Sequence, residues 1–388
     1  MSFPGQQHMA QPSYNDHILT ITERSCADPY VIWDKGTYYM TFTADGNRVE
    51  IWSGDSLFEF EKRCRKDVIW RPPPNTPYTG DVWAPELHNI NGQWYVYFAA
   101  DDPQHGNRTH RTYILSGPPS SSSPLDANTW TYHGPLSGMP DQWAIDGTVL
   151  HLHNAMYFVY SGWPLDRGAG QDESLQELFI ISMQSPTAVQ GAPVRISTPN
   201  HPWEFSGSSG INEGPQILCS PDNRWLGIAY SCAGSWTHEY KMGVLAYTGG
   251  DPLAPQSWIK RPTPLLRASA DDKPPYGPGH GNFVGVNGPG ASMEVWAVFH
   301  ATDAKTGWEG RKARLMRVGW SSDGPFMGRG ECGGCCGETT HFLHGCDGGQ
   351  CGGGAGPRPG GRGGDVDIKK EAKKVLGQAK GLIGKFLK

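Results

Sequence analysis

The chain has 388 residues, a formal net charge of −5, 52 Gly, 32 Pro and 11% aromatic residues. That mixture suits short strands and tight turns and argues against a fold of long helices. No run of about 18 apolar residues occurs, which excludes a membrane-spanning helix. Residues 352–388 hold nine Lys or Arg against three Asp or Glu, leaving −11 on the rest, and so acidic a body gives no footing for nucleic acid.

In chain order, the opening MSFPGQQHMAQPSYNDHILT has neither the basic nor the apolar region of a secretory leader. Localisation is therefore left open between the cell interior and a chain lacking its leader. Residues 1–15 read as an N-terminal arm. From residue 16 a pattern recurs in which a turn precedes a short strand rich in Tyr, Trp, Phe and Val: DKGTYYMTF, NGQWYVYFA, HNAMYFVYS, DNRWLGIAYS and ASMEVWAVFH. Before each lies a second segment, in order ADPYVI, WAPELH, AIDGTVL, NEGPQIL and GPGHGNFV. With Asp28, Glu86, Asp146, Glu213 and His280 as markers, the steps are 58, 60, 67 and 67 residues.

Five units of about 60 residues, each supplying about four strands, predict an all-β, five-bladed β-propeller over residues 16–328. The segment DHILTITE (16–23) is expected to close the ring by joining the last blade. If the second segments open the innermost strands, their polar residues gather at one end of a central channel. Cys219 and Cys232 could face each other across a hairpin, but free thiols are the preferred reading.

At these segments the sequence resembles glycoside hydrolase family 43, the arabinanases, arabinofuranosidases and β-xylosidases. The resemblance covers about residues 16–325, and its spacing looks most like the exo-acting α-1,5-L-arabinofuranosidases. It implies Asp28 in ADPYVI as general base, Asp146 in AIDGTV as the residue tuning and orienting the acid, and Glu213 in NEGPQI as general acid. Such a pair inverts configuration when roughly 6.5–9.5 Å apart, leaving space for the attacking water. It also implies sugar contacts for Trp83 in WAPEL, for His280, and for Arg314 by its distance from Trp320. No cofactor is required, although His280 could hold a calcium ion through water or be merely structural. Glu86 is expected to be structural, paired with an Arg. The expected substrate is plant cell-wall arabinan or its oligosaccharides, with β-xylosides or sugar binding without catalysis as alternatives.

Beyond Phe326 the resemblance stops. Residues 329–364 form a Gly/Cys-rich linker whose composition suits a disordered chain. Its Cys332, Cys335, Cys346 and Cys351, with His341 and His344, would alternatively suit zinc. Residues 365–388 space apolar residues helically between lysines, giving either a marginal helix or a basic amphipathic one able to lie on an anionic membrane surface.

Overall fold

The computed structural model describes residues 18–167, 174–269, 272–287 and 293–327. The linker, zinc and amphipathic-helix expectations fall outside these residues, as does the arm. Five four-stranded antiparallel sheets form the described fold, each built from strands consecutive in sequence except the last. In the last sheet the outermost strand is Leu19–Thr20, which pairs with Lys312–Arg317 and closes the ring as expected. Among the described residues helix is confined to one turn, Phe60–Arg63, and short 3₁₀ turns.

The inner strands are Ala27–Asp34, Gly80–Ile90, Ala144–Leu152, Asn212–Cys219 and Tyr276–Asn287. They pack against one another around the channel, and apolar clusters fill the spaces between neighbouring sheets, such as Met40, Phe42 and Trp52 against Val298 and Leu315. Each inner strand breaks register with its partner near its start, at Ala27/Tyr30, Trp83/Glu86, Ile145/Thr148, Glu213/Gln216 and Gly279/Asn282. Inside each break one residue has positive φ: Asp28 (53°), Ala84 (44°), Asp146 (56°), Gly214 (55°) and His280 (47°). A bulge of this kind bends the strand and re-aims its side chains, and left-handed backbone is costly for residues other than Gly, less so for Asp and His.

A bulge also removes an amide from the ladder, and that N–H needs another acceptor. The preceding blade supplies it in four cases. Asp28 N–H donates to His300 Nδ1 (3.1 Å), Ala84 N–H to Thr43 Oγ1 (2.8 Å), Gly214 N–H to Asp146 Oδ2 (3.0 Å) and His280 N–H to Ser231 Oγ (2.6 Å). Thr43, Ser231 and His300 each lie on the second strand of their blade, opposite the residue before its bulge. Ser161 holds the same position in the third blade and donates to Asn212 O at 2.9 Å.

The two cysteines of the fourth blade are free. Register explains why: Asn212 opposes Cys232 and Cys219 opposes Leu226, so the sulfurs sit at opposite ends of the hairpin.

Ser231→Ala strands the His280 amide in a buried setting. It is expected to cost about 1–3 kcal/mol, the desolvation penalty of an unpaired buried group. Urea unfolding reads this directly, and an unchanged midpoint would show that the inter-blade bond carries no weight.

Candidate active site

Because the bulges lie at one level, three carboxylates converge at one end of the channel. Asp28 is held on several sides. Its Oδ2 accepts from Thr43 Oγ1 at 2.6 Å, and its Oδ1 lies 3.2 Å from His280 Nδ1 and 3.8 Å from Arg311 Nη1. Burial alone would raise its pKa, but the facing His280 cation outweighs burial and holds it well below the usual carboxylate range. Asp28 is thus a carboxylate ready to accept a proton.

Glu213 is the opposite case. It is buried, and burial followed by the charge of Asp146 pushes its pKa up to about 8. Tyr240 Oη donates to its Oε1 at 2.7 Å. Near neutral pH Glu213 therefore keeps its proton and can deliver it. Asp146 lies between these extremes. Burial raises it and His280 opposes the rise, giving about 6, while the amide of Gly214 anchors its Oδ2 beside the acid.

The two histidines differ as sharply. His280 would be lowered by burial, but Asp28 and Asp146 raise it to about 9, so its ring is a cation. His300, stacked on Tyr240 at 5.6 Å and 4°, is lowered by burial and by Arg311 to about 3. Its Nδ1 accepts the Asp28 amide, so the neutral ring carries its proton on Nε2.

His280 lies in the cluster as an ion partner of Asp28, with the charge of Asp146 nearby. A protonated imidazole has no free lone pair, so in this state the ring cannot ligate a calcium ion directly. Among the described residues no group of three or more His, Cys, Asp or Glu is arranged to hold a metal.

Trp83 stands beside the second bulge, partly exposed, with one face covered by His110 at 4.1 Å. Beyond it Trp143 and Trp163 stack at 4.8 Å. Arg314 is not brought to the cluster. It sits on the third strand of the last blade and is spent on Asp303 (2.6 Å), the carbonyl of Ala301 and Thr20. Arg311, in the loop before that strand, enters the site instead, its Nη2 donating to Ser235 O at 2.8 Å. Glu86 pairs with no arginine: His88 Nε2 lies 2.9 Å from Oε2 and Gln216 donates to Oε1. The expected arginine partner fails because Glu86 faces down the channel, where its own strand offers His88 and the inner strand of the fourth blade offers Gln216.

Sequence reading missed Tyr240, His300, Arg311 and Thr43. Thr43 and His300 were readable in principle, since each ends an aromatic strand at the position opposite a marker segment. Tyr240 and Arg311 lie in loops with no repeat to flag them.

The like-charge account of Glu213 has a direct readout. Titrated by carbon NMR, its carboxyl should show a midpoint of about 8, and the midpoint should fall in Asp146→Asn because the neighbouring charge is gone. A midpoint unmoved by that substitution would refute the account.

Comparison with known proteins accords with this geometry. The family model for glycosyl hydrolases family 43 matches residues 20–326. An extracellular exo-α-(1→5)-L-arabinofuranosidase of Streptomyces chartreusis is 32% identical over 306 residues, 78% of this chain and 87% of the relative. An α-L-arabinofuranosidase 43 of Humicola insolens is 30% identical over 81% of the chain, which spans only 63% of that relative. Among solved structures, an α-L-arabinofuranosidase from Lactobacillus brevis superposes with a TM-score of 0.69 at 27% identity, covering 82% of this chain and 98% of that one. The chain belongs to family 43 of the glycosyl hydrolases.

Proposed function

We propose that the protein is an inverting α-L-arabinofuranosidase that releases L-arabinose from the ends of α-1,5-linked arabinan or arabino-oligosaccharides. The observation that carries the reading is the pair of opposed carboxyl groups, Asp28 held ionised and Glu213 held protonated in one channel mouth. The names of the relatives support arabinose over xylose.

In this reading Glu213 gives its proton to the glycosidic oxygen as the C1–O bond breaks. Asp28 takes a proton from a water, whose oxygen forms the new bond to C1 from the opposite face. Asp146 keeps the acid's pKa high and its backbone fixed. His280 and Arg311 hold Asp28 in orientation and keep it charged. Proton transfer and water complete this chemistry without a cofactor.

Proton NMR of the first turnovers on linear arabinan tests the assignment. We expect β-L-arabinose as the initial product, appearing as monosaccharide from the outset. Initial α-anomer would sink the base role of Asp28, and early long oligosaccharides would sink the exo mode.

The rim supports a carbohydrate chain longer than one sugar. Trp236 and Trp308 are 46% and 62% exposed. They lie on loops that join second to third strands, which in this topology run along the site's end of the propeller. Trp308 Nε1 donates to Ser235 Oγ, on the residue whose carbonyl Arg311 grips. An exposed aromatic platform of this kind loses its contact area with a sugar ring when truncated. Trp308→Ala should therefore raise KM for oligosaccharides of three or more units several-fold, on the order of 1 kcal/mol of stacking, and leave an aryl arabinoside unaffected. Equal changes on both would remove the rim from substrate binding.

A further inference from the structure

The acid's strand begins in a buried polar network that the chemistry above does not use. Glu204 is fully buried. Its Oε1 accepts from Lys260 Nζ (2.7 Å), Asn212 Nδ2 (2.8 Å) and Tyr230 Oη (2.8 Å), and its Oε2 from the amides of Asn200 and His201 (both 2.8 Å). Lys260 Nζ donates also to Thr198 O (2.6 Å) and Asn212 Oδ1 (3.1 Å), so its three N–H groups are used.

Both partners converge on Asn212, the residue before Glu213. Asn212 further accepts Ser197 Oγ at Oδ1 (2.6 Å) and Ser161 Oγ at its carbonyl (2.9 Å), while its amide donates to Gln176 O (3.0 Å). The carbonyl of Glu204 takes the amides of Ile211 (3.1 Å) and Ala233 (3.3 Å), one on each side of the hairpin that carries the acid.

A buried ion pair is a poor device for stability, because apolar residues of similar size usually do as well. What a fully satisfied network does supply is a single geometry. We infer that the Glu204–Lys260 pair, acting through Asn212, positions the carboxyl of Glu213 for proton delivery. The inference rests on Glu213 being the general acid. Glu204 and Lys260 are positioning residues and touch no substrate.

The leaving group tells positioning from mere stability. A sugar leaving group needs a proton at its oxygen, whereas an activated aryl leaving group departs as an anion. Lys260→Met should therefore lower kcat on arabinobiose by about tenfold or more, as a misplaced proton donor would. On dinitrophenyl arabinoside it should lower kcat less than about threefold, with KM little changed on both. Glu204→Gln/Lys260→Met removes both charges and keeps a foldable core should the single variant leave too costly a buried carboxylate. It should show the same discrimination.

Equal losses on the two substrates, or no loss in either folded variant, would overturn the inference. Glu213→Gln is the reference. If it too fails to discriminate between the substrates, the acid assignment is at fault; if it discriminates and the pair variants do not, the positioning role alone falls.

Discussion

The structure depends on one constraint: each inner strand must leave regular β-geometry at the same level and hand its freed amide to a neighbour. A β-ladder has no slack for a stray N–H in a buried setting. At four of the five bulges the acceptor belongs to the preceding blade, so the bulges that aim the carboxylates also tie the blades together. Thr43 shows how closely the two tasks are joined. Its hydroxyl receives the Ala84 amide of the second blade and donates to Asp28 of the first.

Convergence alone would give three carboxylates with similar pKa values and strong mutual repulsion. Two imidazoles break that symmetry. His280, made cationic by the acids around it, sits nearest Asp28 and pulls it down, while Asp146 and Glu213 feel burial more than the cation. His300 stays neutral beside Arg311 and so offers Nδ1 as an acceptor to the strained Asp28 backbone. Had His300 been charged, that amide would have lost its partner. One histidine supplies charge and the other a lone pair, a difference set by what each faces.

The repeat was legible in the sequence because propeller blades reuse one pattern of turn and aromatic strand, and five copies outweigh the ambiguity of each. The closing strand was legible for the same reason. Finer geometry was not. Glu86 and Glu213 mark the repeat, but the bulge residues are Ala84 and Gly214, two positions and one position earlier or later. Spacing of about 60 residues tolerates such offsets, while a bulge does not. Arg314 was chosen over Arg311 by its distance from Trp320, a count that does not say where the strand ends and its loop begins. Arg314 lies within the third strand of its blade, whereas Arg311 lies in the loop that leads into it at the site's end of the propeller.

The offset at Glu213 has a physical reason. Asp28, Asp146 and His280 carry their functional groups on the left-handed residue itself, accepting its strain. In the fourth blade that residue is Gly214, where φ is 55° and a Cβ would come within 3.2 Å of the His280 ring. A side chain there would crowd that ring and add left-handed strain, and the carboxyl comes instead from the residue before, Glu213. The Gly214 amide, freed by the bulge like the others, binds Asp146, which places next to the acid the charge that keeps it protonated. The division of labour among the carboxylates thus begins with a missing Cβ.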